Sequence, residues 1–199
     1  SLIYTLMGGI EAVIWTDVIQ VMILLGGALL SLIFIVTNIN GGISEIIESG
    51  VIDQKFNIVD KTWSLNQPTF WVVIIGGFFA NLITYGTDQT IVQRYLVTKS
   101  KKEAIKGVWI NAIISIPATL IFFFLGTALF VFFKNFPKEL NDDFIINDAI
   151  FPWFIVSQLP IGVSGILIAA IFAAAMSSLS SSMNASAATY VADIHSHFN

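Results

Sequence analysis

Residues 18–40, 66–87, 107–133 and 149–192 contain no Asp, Glu, Lys or Arg. A helix needs about 20 apolar residues to cross the hydrocarbon core of a bilayer, so each run is measured against that length. The first extends a helix that is expected to begin near Gly9. The last is long enough for two passes, but Pro152 and Pro160 break its first dozen residues, so it reads as a short extracellular segment followed by one long helix from about Ile161. Four spans follow, at about residues 9–40, 66–93, 107–133 and 161–192, in an all-α integral membrane fold. The composition agrees: 56% of the 199 residues are hydrophobic, 11% are charged, and mean hydropathy is +0.83. A water-soluble domain, a basic nucleic-acid reader and a disordered tail are excluded by these values. Without cysteine there is neither a disulfide framework nor a thiolate metal site. No signal-peptide pattern opens the chain, and a piece of a longer protein is expected.

Basic residues set the orientation, because cytoplasmic loops are enriched in Lys and Arg. Arg94, Lys99, Lys101, Lys102 and Lys106 are five of the nine basic residues and fall between the second and third spans. The connection 94–106 is therefore expected on the cytoplasmic side. The loops 41–65 and 134–160 are net acidic, through Glu45, Glu48, Asp53 and Asp60 in one and Glu139, Asp142, Asp143 and Asp148 in the other. Both are expected outside, which leaves both ends cytoplasmic. Trp15 and Trp109 then fall near the inner interface and Trp71 and Trp153 near the outer one, where indole rings commonly sit.

Against this apolar background three polar features stand out. Asp17 lies inside the first span, where an ionised carboxylate costs about 2.5–3.5 kcal/mol. It either reaches the interface or meets a cation, and no Lys or Arg lies within the uncharged runs to serve as that cation. In the last span, Ser177, Ser178, Ser180, Ser181 and Ser182 follow three alanines, and Ser177, Ser180, Ser181 and Asn184 share one helical face. Such a face either lets a neighbouring helix approach closely or presents oxygens to a hard cation. At 1.5 Å per residue, Asp17 and Ser177 both fall in the inner half of the membrane, which makes joint coordination feasible. Finally, Tyr85-Gly-Thr-Asp88-Gln-Thr90 ends the second span after Gly76, Gly77 and Asn81. This is either a broken helix lining a binding site or an ordinary helix end. His195 and His197 are two apart, on different faces, and do not suggest a metal site. Pro117 is expected to kink the third span.

At these residues the sequence resembles the sodium/solute symporter family. Residues 8–20 (GGIEAVIWTDVIQ) resemble the opening of the fifth core helix of that family, 86–96 (GTDQTIVQRYL) the end of the sixth, and 159–194 (LPIGVSGILIAAIFAAAMSSLSSSMNASAATYVADI) the eighth. Within the family the chain is most similar to bacterial sialic acid symporters, through GGISEI and the SSxSSS arrangement. The TDQ triplet is nearer to the sugar-transporting branch. The resemblance implies a LeuT-type inverted-repeat transporter, of which this chain holds core helices five to eight. It also implies two sodium positions. The common one takes the carbonyl of Ala174 and the hydroxyls of Ser177 and Ser178; the second takes Asp17, Ser177, Ser180 and Ser181. For substrate it implies Tyr85 and Asp88, both departing in residue type, with Phe78 and Asn81 as weaker candidates.

The function so implied is sodium-coupled symport of a small polar organic solute, sialic acid or another sugar, in the cell inner membrane. It involves no catalysis, no nucleic acid and no cofactor other than Na+. Two alternatives remain: the same mechanism with proline, pantothenate, inositol or a carboxylate, and a symporter-like sensory input domain of a signalling kinase.

Overall fold

The computed structural model describes residues 2–57, 59–64, 66–140 and 147–198, with the side chains of residues 2–11, 147 and 198 left aside. The expected acidic pair Asp142 and Asp143 lies outside the described residues. Seven helices carry the described chain: α1 (Leu2–Asn38), α2 (Gly42–Ile52), α3 (Phe70–Thr87), α4 (Gln89–Leu96), α5 (Lys101–Asn135), α6 (Ile150–Ser157) and α7 (Ile161–Thr189). A π-helical stretch, Tyr190–His195, and a last turn, Ser196–Phe198, continue α7. Four segments are long and apolar enough to cross a membrane: Ala12–Asn38, Phe70–Thr87, Lys101–Asn135 and Ile161–His195. At 1.5 Å per residue the shortest, α3, covers about 27 Å, close to the thickness of the hydrocarbon core. α3 has no buried side chain, and large apolar residues such as Trp15, Phe123 and Phe172 are each more than 60% exposed. Apolar surface on that scale is suited to lipid or further helices, and not to water.

Several boundaries differ from the expectation, each for a local reason. The expected loop 41–65 contains α2. Gly41 and Gly42 both take positive φ (98° and 58°), a conformation that costs other residues about 1–2 kcal/mol, and they turn the chain from α1 into α2. Ile43, Ile46, Ile47 and Gly50 then fall at helical spacing, with Ile46 and Gly50 buried. Pro152 does not break the segment before α7. It sits in the first turn of α6, where its missing N–H would have no helical partner anyway. Pro160 does mark a boundary, and its carbonyl accepts from the Ser164 amide at 2.9 Å to open α7. α5 starts six residues earlier than the expected third span. Ser100 Oγ accepts from the Glu103 amide at 3.3 Å, and the Glu103 carboxylate accepts from the Lys99 amide at 3.2 Å, a reciprocal cap that fixes the helix start within the basic connection.

The chain divides into two compact units, one of Ser1–Thr16, Asn57–Ile110 and Met176–Asn199, the other of Asp17–Phe56 and Asn111–Ala175. The second holds the main core. Ala28, Ile35 and Ile39 of and just beyond α1, Ile46 of α2, Leu125, Ala128, Leu129, Val131, Phe132 and Phe133 of α5, Phe154 and Ile155 of α6 and Leu167 of α7 are buried together. Phe154 is fully enclosed, and the rings of Phe34, Phe132 and Phe133 meet it near-perpendicularly at 5.9, 5.3 and 6.3 Å. Edge-to-face pairs of this kind contribute about 0.5–1.5 kcal/mol each beyond burial. At the margin, Lys134 Nζ pairs with Asp53 at 2.5 Å and Lys55 Nζ lies 4.0 Å from the Phe130 ring centre.

At Gly27, α1 packs tightly against Leu167 of α7 within the second unit. A Cβ built there lies 1.7 Å from Leu167 Cδ2 and 2.9 Å from its Cγ, and Leu167 is itself buried. Gly27→Val is expected to lower stability by about 1–3 kcal/mol through overpacking, read as a lower melting temperature of the purified protein. Adding Leu167→Ala should restore part of the loss.

Candidate functional site

The serine-rich run of α7 is helical throughout, so the face inferred from spacing is real. Ser177 is 7% exposed and Ser180 2%, while Ser178 and Ser182 are exposed and Ser181 and Asn184 are half-buried. Two hydroxyls are thus enclosed on a helix that could have enclosed alanines. Ser180 Oγ donates to the Met176 carbonyl at 2.8 Å, one turn back. A hydroxyl that gives its proton to its own helix keeps oxygen lone pairs for another partner, which is the form in which serine ligates a cation. Among the described residues no buried side-chain nitrogen or oxygen lacks a hydrogen bond, and no group of three or more His, Cys, Asp or Glu assembles. The donor set on this helix is therefore hydroxyl and carbonyl, matched to a hard cation.

Asp17 lies in α1, one residue after Thr16, whose hydroxyl donates to the Val13 carbonyl at 2.8 Å. Asp17 and Ala174 belong to the second unit, and Ser177, Ser178, Ser180 and Ser181 to the first. Along α7, Ala174, Ser177 and Ser178 stand at i, i+3 and i+4, the spacing of one helical face.

The Tyr85–Thr90 segment resolves into a true helix break. α3 ends at Thr87, Asp88 takes an extended conformation (φ −69°, ψ 114°), and α4 begins at Gln89. The Asp88 carboxylate caps α4, its Oδ1 accepting from the Thr90 amide at 2.8 Å and from the Thr90 hydroxyl at 2.5 Å. Those two bonds, the hydroxyl's first, hold its pKa below the usual carboxylate value. Asp88 is thus occupied locally and exposed. The other substrate candidates gather instead on one face of α3. Phe78, Asn81 and Tyr85 line an open groove of about 710 Å³ with Ile74, Gly77, Leu82 and Gly86. Asn81 Nδ2 donates to the Gly77 carbonyl at 2.7 Å, one turn back on α3.

Two residues of α4 make contacts that spacing does not show: Gln93 closes the expected second span, and Arg94 opens the expected cytoplasmic connection. Gln93 Oε1 accepts from Asn184 Nδ2 at 3.0 Å, and Arg94 Nη2 donates to Ser181 Oγ at 3.4 Å. A guanidinium therefore reaches the serine face, although no basic residue lies within the uncharged runs. The available signal was the length of the Arg side chain one position beyond the span's expected end.

The family is settled by comparison with known proteins. Residues 1–199 match the model of the sodium:solute symporter family, and the chain belongs to that family. It is 44% identical over 199 residues to the sodium/sialic acid symporter SiaT of Proteus mirabilis, covering all of this chain and 40% of that protein. It is 42% identical over 195 residues to the sodium/sialic acid symporter NanT of Aliivibrio fischeri, covering 98% and 38%. A sodium/glucose cotransporter of Vibrio parahaemolyticus is 32% identical over 219 residues, covering 100% and 39%. The chain thus spans about two-fifths of the length of these curated relatives. A solved structure of the substrate-bound outward-open state of a Na+-coupled sialic acid symporter, described as revealing a novel Na+ site, superposes with a TM-score of 0.90 at 45% identity. That match covers 97% of this chain and 41% of the other. The fold class expected from the sequence holds: all-α, multi-pass membrane, part of a LeuT-type transporter.

Proposed function

We propose that the protein carrying this chain is a sodium-coupled symporter that takes up a small polar organic solute of the sialic acid class. The observation that carries this is the enclosed hydroxyl face of α7, in which Ser177 and Ser180 are buried within an uncharged membrane helix. Identity of 42–44% to two sodium/sialic acid symporters supports the ion and the solute class. One sodium is held by the Ala174 carbonyl and the Ser177 and Ser178 hydroxyls. A second is held by Asp17, Ser177, Ser180 and Ser181. Phe78, Asn81 and Tyr85 form one wall of the solute path, with Asp88 at its inner end. Residues 41–65 and 134–160 face outward, residues 94–106 face the cytoplasm, and both ends of the chain are cytoplasmic, as the distribution of Lys and Arg favours.

Coupling needs no covalent step. An ion that binds one conformation better than another shifts the equilibrium toward it by its differential affinity. Sodium on α7 stabilises the outward-open arrangement, and its release to the cytoplasm loosens that arrangement and frees the solute. The test is uptake into proteoliposomes by the complete transporter under an imposed sodium gradient, with labelled sialic acid and a panel of competitors: glucose, galactose, proline, pantothenate, inositol and a monocarboxylate. Sodium-dependent sialic acid uptake, competed most strongly by unlabelled sialic acid, is the expected result. Uptake of one of the others in its place would overturn the solute assignment, and uptake indifferent to sodium would overturn the coupling.

A further inference from the structure

Within the first unit, α4 is tied to α7 at two points. Gln93 and Arg94 are neighbours on α4, and their partners Asn184 and Ser181 stand one turn apart on the hydroxyl-bearing face of α7. Together with Val13 and Thr90 these side chains enclose a cavity of only about 10 Å³, at the lower limit for a single water. The helices therefore meet through their side chains, and the gap has no room for a solute. The first turn of α4 is closed by its own cap, Asp88 accepting from Thr90. A short helix with a closed first turn and two side-chain bonds to α7 presents Gln93 and Arg94 to that helix in a fixed register.

The two bonds differ in kind. The Arg94 contact is long and falls on Ser181, which is itself among the hydroxyls assigned to sodium. The Gln93–Asn184 contact is a 3.0 Å amide–amide bond between half-buried side chains, and neither residue belongs to the ion's ligand set. A constellation that binds an ion must be held to within about 0.5 Å by residues outside it. Asn184 lies one turn beyond Ser180 and Ser181, so a bond at Asn184 resists rotation of this face about the axis of α7.

We propose that the Gln93–Asn184 amide pair is a positioning latch that sets the rotation of the α7 hydroxyl face for sodium. The inference rests on the sodium assignment made above. Gln93 and Asn184 act through Ser177, Ser180 and Ser181, and α4 transmits its own placement to the ion through them.

The experiment uses the complete transporter and the exchange of the two amides. Gln93→Asn shortens the reach by one methylene, and adding Asn184→Gln restores the summed length. Gln93→Asn is expected to raise the sodium concentration for half-maximal uptake about two- to tenfold, the range for loss of one neutral hydrogen bond. The substrate KM at saturating sodium and the maximal rate should stay as they are. The exchange variant should recover most of the lost sodium affinity. The sodium-induced rise in melting temperature of the purified protein should follow the same order. An unchanged sodium requirement in Gln93→Asn, no recovery in the exchange variant, or equal changes in substrate KM and rate would each overturn the latch. Ser181→Ala, measured alongside, separates the two levels. If it alters the sodium requirement while Gln93→Asn does not, the latch fails and the site stands; if it has no effect, the site fails and the latch with it.

Discussion

Ser177→Ala in the complete transporter is expected to abolish sodium-driven uptake at ordinary sodium concentrations, with the sodium needed for half-maximal uptake rising more than tenfold. Ser177 is assigned to both sodium positions, so its hydroxyl is the one whose loss weakens each. It is buried in an uncharged stretch of α7, so its hydroxyl is enclosed by protein and not presented at the surface. The change deletes a single oxygen, and alanine is the better helix former, so α7 itself should be no weaker. Misfolding is thereby separated from lost ligation: the variant's melting temperature without sodium should equal that of the parent protein, while the sodium-induced stabilisation disappears. Ser177→Thr, which restores a hydroxyl at the same position, should recover part of the uptake. Normal sodium-dependent uptake by Ser177→Ala would remove the hydroxyl cage as the basis of coupling.

How far this site was legible follows from which physical signal each residue carries. The spans announced themselves because an uncharged run of 20 or more residues has little alternative to a membrane helix. The serine face was legible for the same reason, since helical periodicity over a known helix places Ser177, Ser180, Ser181 and Asn184 together without any tertiary information. The signal for α2 is present but hidden by charge. Ile43, Ile46, Ile47 and Gly50 are at helical spacing, and Glu45 and Glu48 read as loop charges until they are placed on the polar side of an amphipathic helix. The cap of α5 is likewise written as Ser100 followed by Glu103, a signal that a span bounded by charge alone does not use.

Other features could not be read that way. The Tyr85–Thr90 segment has two equally good interpretations in sequence, a broken helix lining a binding site or an ordinary helix end. The extended backbone of Asp88 and its bonds from Thr90, which open α4 directly after α3, decide for the break. The Gln93–Asn184 and Arg94–Ser181 contacts join residues 91 and 87 positions apart, and no periodicity links positions on separate helices. Sequence exposes what one helix does to its own faces. What two helices do to each other depends on crossing geometry, and the functional support of the serine face lies in that second category.

Asp17→Asn is expected to leave transport running while reducing the number of ions coupled to it. Asparagine keeps the shape of the side chain and an acceptor oxygen but removes the full negative charge, the one formal charge among the ligands assigned to the second sodium. Serine hydroxyls alone offer dipoles, and a hard cation's affinity rises with the number of charged ligands. The common site, assigned to Ala174, Ser177 and Ser178, keeps its entire set. The Hill coefficient for sodium should therefore fall toward one. The thermodynamic effect is larger than the kinetic one. Moving one charge inward across 100 mV releases about 2.3 kcal/mol, and a tenfold concentration gradient adds about 1.4. Each ion thus supplies roughly 3.7 kcal/mol, or about 500-fold in the accumulation limit at 1.4 kcal/mol per tenfold. Loss of one coupled ion should lower steady-state accumulation by about that factor under the same gradient, measured in proteoliposomes held at fixed sodium and potential, while initial rates at high sodium change far less. An Asp17→Asn variant with the parent's Hill coefficient and accumulation ratio would take Asp17 out of the ion path, and a coefficient of one in the parent protein would take the second ion out altogether.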